Sequence, residues 1–546
     1  MIKIRELLKK DITLYFLVAL LCSFIFGCIY GFKILNPTYI DWIFERVGDI
    51  SQHYVGWEAY RLGRWTFPIG VTNMVSYPTY ISVMHTDSIP ILAFFFKLVS
   101  FLLPKTFQYL GLYGFICFIL QGILCSRIIK YYTDSKLYII VSTVFFTIVP
   151  SMLFRMFYHT ALASQWLLLL AFESIFLYDK YNNKKIYVLW AIIGFLVVTI
   201  HLYYLVMCGI ILIGYIVMDI LETKKLKRSI ILLGIYIVVA LITLWLLGGF
   251  VNLGKSDNFG FGLFSYNLNG LINSQGYSYF LNPLPMLGEQ YEGFSYLGFG
   301  VIILSIIALG LGIRWLMKDR KIFKRRKNLI ICLLVISVIC TFVALSPDVY
   351  WGENLLYRVP LPSFILNIWG IFRSTGRFIW PVIYIITLVS IIVVMKRLNY
   401  KTALIILSLC ALIQVRDIYQ FLIDTHDFYS HRIEFSERDE LSHNRYLNKV
   451  ISNNINLVVM VSKDFYTDKE IMYADWALNH GMMVNRFHFA RQSFDDTLLK
   501  NTNAYLEKKD KNTIFLFTTK RECLAYELNC YKINNDLSLG YINKLD

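Results

Sequence analysis

Uncharged apolar runs of membrane-spanning length recur along most of this chain, and they restrict its fold more than any other feature. The first, Ile12 to Phe32, holds 21 residues without a charged side chain. A helix needs about 20 such residues to cross a bilayer, where each backbone N–H and C=O must find its partner within the segment. Comparable runs lie near 12–33, 107–126, 137–154, 161–178, 186–200, 202–219, 229–248, 297–317, 328–345, 378–395 and 402–421. They predict a polytopic α-helical membrane protein of about 11 transmembrane helices. Composition agrees: of 546 residues, 57% are hydrophobic and 16% charged, against about 25% charged in soluble domains. A soluble globule, a disordered chain and a disulfide scaffold are excluded. The first run exceeds a signal-peptide core, and no small-residue cleavage site follows it.

The net charge of +16 would suggest nucleic acid in a soluble protein. Here it follows from Lys and Arg kept in cytoplasmic loops, and no nucleic-acid partner is expected. The basic connectors Lys3–Lys10, Arg127–Lys136, Lys180–Lys185, Lys224–Arg228, Arg314–Lys327 and Lys396–Lys401 fall on alternate loops. That alternation puts the N-terminus in the cytoplasm and everything from 422 outside. The segment Ile89 to Leu103 is apolar but only 15 residues long, about 22 Å as a helix. It reads as a juxtamembrane or re-entrant helix on the outer face, with Lys97 snorkelling or meeting a head group. A short true span that inverts the later topology is the alternative, and it stays open.

The outward segments are then a first loop of about 34–106, loops at 249–296 and 346–377, and a tail from 422. The division is a transmembrane domain, 1–421, and a C-terminal extracytoplasmic domain, 422–546. In the tail, polar stretches alternate with short apolar runs (NLVVMV, MMVNRFHF, TIFLFTT), the pattern of a small α/β domain. Eight cysteines (Cys22, Cys28, Cys117, Cys125, Cys208, Cys332, Cys340, Cys410) lie in apolar segments as small hydrophobes. Cys523 and Cys530 are the two in a polar region, able to pair on an oxidising side. On a continuous helix their spacing of seven would set them roughly 10 Å apart, too far for a bridge, so a disulfide requires the segment to bend.

Ionisable residues gathered at the outer rim of an apolar bundle mark candidate sites. In GDISQHYVGWEAYRLGRWTFP, apolar residues at Ile43, Val47, Ile50, Tyr54 and Trp57 have helical spacing and predict an amphipathic helix on the membrane surface. Asp49 and His53, four apart, share a face there, and a carboxylate beside an imidazole is able to take a proton from a hydroxyl. A solvated face accounts for the same pair without chemistry. In SVMHTDSIP, Asp87–Ser88 before Ile89–Pro90 has the form of a helix start, which would make Asp87 a cap; His85 lies close by. Arg155 and His159 are four apart in FRMFYHTALASQW, as are Arg373 and Arg377 in FRSTGRFIWP. Two arginines on one helical face at head-group level form a fork for phosphate, though single arginines there are commonly anchors. His201, at an outward turn, is a further candidate. Glu173 is the nearest to a mid-span charge. No metal-ligand constellation is legible, so no cofactor or metal is expected, although a divalent metal is compatible with this chemistry.

These residues carry a resemblance. GD…HYVGWEAYR…WTFPIG, TDSIPILAFFFK, PKTFQYLGLYGF, FRMFYHTALASQW and FRSTGRFIWPVIY resemble a bacterial family similar to the GT-C superfamily, membrane glycosyltransferases that take sugars from polyprenyl-phosphate carriers. The resemblance implies a GT-C-like fold with outer juxtamembrane helices. It implies Asp49 as general base or orienting group, Asp87 as a second acid, and Arg373 and Arg377, with Arg155 or Lys97, on the donor phosphate. It further implies transfer to a cell-envelope glycan or lipid acceptor at the outer face of the bacterial cytoplasmic membrane, through an oxocarbenium-like transition state. Outer-loop aromatics (Trp57, Trp65, Tyr277, Tyr279, Tyr291, Trp351) would stack on sugars, although interfacial Tyr and Trp are common without ligands. One departure is Gln165, where a His would be expected. The competing readings are a transporter or flippase of lipid-linked sugars and a non-catalytic envelope scaffold. A transporter should show mid-membrane charges and two related halves, and neither is evident.

Overall fold

The long apolar runs become helices, because an isolated apolar backbone has no other way to satisfy itself. The structure, a computed structural model, describes residues 2–181, 183–252, 260–318, 320–431, 441–463, 465–489 and 495–545. Parts of the predicted 249–296 loop (253–259) and of the tail (432–440) lie outside the described residues. Among the described residues, six helices are long and apolar enough to cross a membrane: Asp11–Tyr30, Leu110–Lys130, Tyr203–Thr223, Leu226–Leu246, Arg326–Leu345 and Thr375–Arg397. Tyr400–Asp417 and Tyr419–Ser430, bent by 55° at their junction, make a seventh if taken together. The chain is thus a helical protein with the spans of a multi-pass membrane protein. The other predicted spans are shorter or broken. The 137–154 run ends its first helix at Thr147 and restarts at Pro150, since proline provides no N–H for a continuing helix.

The chain forms two compact units. The first comprises Met1–Leu35, Gly111–Ala240 and Asn258–His431. Here tyrosines pack as hydrophobes while their hydroxyls donate to carbonyls of neighbouring helices: Tyr138 to Ile391 at 2.9 Å, Tyr204 to Leu162 at 2.5 Å and Tyr236 to Leu205 at 2.6 Å. Gly300 lets Phe299–Lys318 approach Tyr400–Asp417 closely, because a Cβ there would lie 2.1 Å from the Cys410 carbonyl. Buried carboxylates are matched. Glu173 pairs with Arg127 at 3.0 Å and accepts from the Tyr181 hydroxyl. Asp219 accepts from Tyr178 and faces Arg228. Asp417 accepts from the Phe299 N–H and the Tyr296 hydroxyl, both at 2.8 Å, capping the start of the Phe299 helix.

The second unit comprises Asn36–Leu110, Leu241–Asp257 and Arg432–Asp546, so the units cut across the division expected at 421/422. The first loop belongs with the tail because their backbones pair: Tyr77 N–H donates to Val484 at 3.0 Å and Val484 N–H to Met74 at 2.8 Å. The tail forms the expected α/β lobe. Its strands are β1 (Leu457–Met460), β2 (Met483–Val484), β3 (Thr513–Phe517), β4 (Asn529–Lys532) and β5 (Ser538–Tyr541), in the order β2-β1-β3-β5-β4. β2, β1 and β3 run parallel and β5 is antiparallel to both neighbours. β1 and β3 are buried throughout, as strands covered on both faces must be.

The expected amphipathic surface helix is corrected. Asp41–Phe44 is one short helix and Asp49–Leu62 another. The latter is buried at every position from Ile50 to Tyr60, a core helix packed against Pro90–Leu98 and Thr467–Asn479. Apolar periodicity reported where its side chains pack, and could not report that its small polar residues would also be covered. The 89–103 segment is short as expected: Pro90–Leu98 is followed by a 3-10 turn at Ser100–Leu102. Phe95, Leu98, Phe101 and Leu102 are exposed. Arg61 fastens its end, reaching Ser100 Oγ at 2.8 Å and the carbonyls of Pro104 and Lys105 at 2.9 Å.

Cys523 and Cys530 are bonded, with Cα atoms 6.1 Å apart. The helix Lys520–Leu524 stops before Cys530, which lies on β4, so the required bend is present. A closed loop this short should contribute about 2–2.5 kcal/mol. Changing Cys523→Ser and Cys530→Ser together, or adding reductant to the native protein, should lower the stability of the lobe by that amount in denaturant titration; no change on reduction would show that the thiols are free.

Candidate functional site

Two clusters of ionisable residues stand out, one in each unit. In the second unit the helix Asp49–Leu62 lies against the turn at 86–89. Gly56 permits the contact, since a Cβ there would meet Thr86 at 2.3 Å and Ser88 Oγ at 2.7 Å. Ser88 Oγ donates to the His53 carbonyl at 2.7 Å and lies 2.8 Å from Thr86 Oγ1, and the Tyr109 hydroxyl donates to the Ser88 carbonyl. Asp87 and Ile89 both have φ of 51°, a left-handed conformation unusual for any residue and a true outlier for a β-branched one. Each costs about 1–3 kcal/mol and persists because the surroundings over-determine it.

The consequence is chemical. A ring nitrogen of His53, fully buried, lies within 4.8 Å of a carboxylate oxygen of Asp87. Asp87 is not the helix cap its sequence suggests. It closes the 3-10 helix Val83–Thr86, while Ile89 precedes Pro90 and no side chain caps the Pro90–Leu98 helix. Asp49 and His53 are on one helix as expected, but Asp49 is exposed at its first turn, where a carboxylate complements the helix dipole. His85, in the same 3-10 helix as Thr86, is half-buried. An imidazole beside a carboxylate is able to relay a proton. The same two ligand types suit a divalent cation, so this pair is also where a metal would bind in this unit.

In the first unit, Arg155 and Arg377 converge on one carboxylate that the sequence analysis missed. Glu292 Oε2 is 2.7 Å from Arg155 Nη2 and 2.5 Å from Arg377 Nη2, with Arg377 Nε also donating to it at 3.0 Å. Arg155 Nη2 donates further to the Glu292 carbonyl at 2.9 Å. Burial opposes the charge on Glu292, but the Arg377 and Arg155 guanidinium groups outweigh it and hold the carboxyl well below the usual range. The ring of Tyr203 lies under Arg377 and that of Phe154 under Arg155. His159 packs edge-on to His201 at 5.1 Å. Burial, then the positive charges of Arg377 and Arg155, push the His159 imidazole far down, so it is neutral at pH 7. His201 accepts from the Tyr203 N–H and so serves the start of the Tyr203–Thr223 helix. The signal for Glu292 was weak: Glu289 and Glu292 are the only carboxylates between 260 and 296.

The expected Arg373–Arg377 fork does not form. The backbone at 371–374 is not helical, Arg373 is exposed, and Arg377 is buried in a 3-10 turn at Thr375–Ile379. The i, i+4 rule requires an α-helix that is absent there. Lys97 does not snorkel. It is 5% exposed, with Nζ 4.1 Å from the Tyr60 ring and 4.6 Å from the Trp65 ring, and among the described residues it has no hydrogen-bond acceptor. Burial pushes its amine down to about 8. Gln165 is structural: it accepts from Tyr384 at 2.9 Å and Ser151 at 3.2 Å. Trp57 is a core residue donating to the Phe107 carbonyl, Tyr279 lies under Arg416, and Trp351 is on an exposed hairpin.

Two measurements test these environments. Glu292→Gln leaves two buried guanidinium groups without their counter-charge and should destabilise the protein by about 3–5 kcal/mol; a loss under 1 kcal/mol would show that the charges find other compensation. With its native carboxyl depressed, Glu292 contributes stability above the ordinary value of about 4.3, and this is lost as pH falls through the folded-state value. For Lys97 the slope has the same sign, but the lowered value marks a cost of burying the ammonium at neutral pH. Between pH 8 and about 10.4 the unfolded chain binds a proton that the folded one has released, so stability rises with pH. In Lys97→Met that rise should shrink and the unfolding temperature at pH 7 should increase.

No curated protein matches the chain. Residues 19–419, well over half its length, match a family described as a domain of unknown function (DUF6311). The chain belongs to that family.

Proposed function

We propose that this protein is a membrane glycosyltransferase that moves a sugar from a polyprenyl-phosphate donor to an envelope glycan or lipid acceptor at the outer face of the bacterial cytoplasmic membrane, with its N-terminus in the cytoplasm and its C-terminal lobe outside. The observation that carries the reading is the convergence of Arg155 and Arg377, far apart in sequence, on one buried anionic group. Two guanidinium groups held to a single oxygen form a receptor for a phosphate, with Glu292 as its resident counter-ion until the donor arrives. In this reading the Asp87–His53 pair takes the proton of the acceptor hydroxyl, with Asp49 as the second candidate. The glycosidic carbon–oxygen bond to the phosphate breaks as the acceptor oxygen bonds to the sugar. The lipid phosphate leaves with the negative charge that the arginines stabilise, and a single displacement inverts the sugar. The transporter alternative loses support because Glu173, its best mid-span charge, is neutralised by Arg127.

The test is transfer from polyprenyl-phosphate sugars in liposomes, with donor binding measured separately. Asp87→Asn and His53→Gln should lower turnover by about 100-fold or more with donor binding kept. Arg377→Lys keeps charge but loses the fork, so donor binding and turnover should both weaken. Full activity in Asp87→Asn would transfer the base to Asp49; full activity in both Asp→Asn variants would remove carboxylate catalysis. Donor binding unchanged in Arg155→Ala with Arg377→Ala would remove the phosphate assignment.

A further inference from the structure

Within the first unit, the span Arg326–Leu345 leads into a two-stranded hairpin, Asp348–Trp351 with Asn354–Arg358, and then into the short helix Ser363–Trp369. Protein covers little of the span, with 22% of its apolar stretch buried, so the residues that follow Leu345 lie at the bilayer surface. Leu355 and Leu356 are consecutive in one strand and therefore point to opposite faces. Both are exposed, as are Trp351, Tyr357, Phe364 and Ile368. A two-stranded hairpin bare on both faces is marginal in water, whereas Trp and Tyr are at home in the head-group layer. Beside the hairpin is an open cavity of about 560 Å³ with apolar walls from Phe261, Pro347, Val359, Leu361 and Leu366, the size of a small-ligand pocket. Trp369 backs it, 6.0 Å from the Phe261 ring and stacked at 5.3 Å on Phe342 of the span. The lining also holds two charges, Asp348 and Arg358. Arg358 Nε donates to Asp348 Oδ1 at 2.6 Å and Nη2 to Oδ2 at 2.9 Å. The Arg358 side chain is 68% exposed and that of Asp348 23%. Among the described residues Arg358 Nη1 has no acceptor, and each Asp348 oxygen keeps a second lone pair.

We infer that this cavity binds a net-neutral amino-phospholipid of the phosphatidylethanolamine type. Its phosphate meets Arg358 Nη1, its ammonium meets Asp348, and the start of an acyl chain lies along the apolar walls. The paired charges select the head group. A lone arginine would take any anionic lipid, but Asp348 opposes a negative charge that brings no positive one, so phosphatidylglycerol matches half of the site. A choline head group carries no N–H to donate to the carboxylate, whereas a primary ammonium carries three. A charged donor and a charged acceptor make the stronger hydrogen bonds. A free zwitterion offers the same two charges and leaves the apolar walls unmatched. The bare bidentate pair also has a local role, since Asp348 and Arg358 are register partners across the hairpin. An exposed pair of this kind contributes about 0–1 kcal/mol, so it is removable without loss of the fold. The Glu292 cluster takes no part, and the lipid site stands apart from the glycosyltransferase reading.

The experiment uses the full-length protein in detergent micelles with a phosphatidylethanolamine that carries a photoreactive diazirine near the start of one acyl chain, and crosslinked peptides are read by mass spectrometry. Labelling is expected at Phe261 and within 347–366. Unlabelled phosphatidylethanolamine should compete at least tenfold better than phosphatidylcholine or phosphatidylglycerol of the same chain length. Asp348→Asn with Arg358→Gln should reduce labelling at least tenfold. Leu366→Trp, which fills the cavity and leaves the ion pair, should do the same and replaces the double variant if that does not fold. Equal labelling of native and variant proteins would overturn the inference and leave the pair as a hairpin clasp alone. Crosslinks confined to other segments would overturn it as well. Equal competition by phosphatidylcholine would remove the ammonium contact, and stronger competition by phosphatidylglycerol would make the site one for anionic lipid. Equal competition by phosphoethanolamine without acyl chains would overturn the lipid assignment in favour of a small zwitterion.

Discussion

A polar group away from water must find its partner inside the protein, and this requirement organises each unit. In the bundle, backbone groups are satisfied within helices and tyrosine hydroxyls reach carbonyls of the next helix. Buried carboxylates each meet a matched set: Glu173 with Arg127 and Tyr181, Asp417 with a helix start and Tyr296, Glu292 with two arginines. The cost of an unmatched charge in such surroundings is several kcal/mol. A charge that departs from this rule therefore carries information, and Lys97, caged by two aromatic rings, is the plainest departure among the described residues.

The Arg155–Glu292–Arg377 cluster shows how one buried pairing is read in two ways. As structure, Glu292 neutralises two guanidinium groups and ties together segments separated by 137 and 85 positions in sequence. As chemistry, under the proposed function, the same two arginines would take a donor phosphate in place of Glu292. Both readings require both arginines to be held rigidly, and the rings of Phe154 and Tyr203 beneath them provide that support. The second unit stores strain instead. The left-handed Asp87 and Ile89 are held because Gly56 lets a helix press against the turn, and the result sets a carboxylate near a buried imidazole.

Which residues were legible followed from the range of each signal. Arg155, Arg377, His53 and Asp87 were found because rim charges in apolar surroundings are rare. Helical spacing misplaced the partner of Arg377, while the resemblance had grouped Arg377 with Arg155, and both meet Glu292. Arg373 is four residues from Arg377, yet the backbone there is not α-helical and the pair diverges in exposure. His53 is four from Asp49 on a real helix, and Asp87, 34 positions further along than His53, brings a carboxylate within 4.8 Å of its ring, which no spacing rule shows.

Sequence alone determined what local chemistry controls: the apolar helices, the α/β character of the tail and the charges that flank the apolar segments. Length and apolarity act within one segment, so one segment suffices to read them. Only the tertiary structure decided the pairing of Glu292 with two arginines, the burial of the Asp49–Leu62 helix, the caging of Lys97 and the membership of the first loop with the tail. Each depends on which surfaces meet after folding, and hydropathy specifies that a face must be covered without specifying by what.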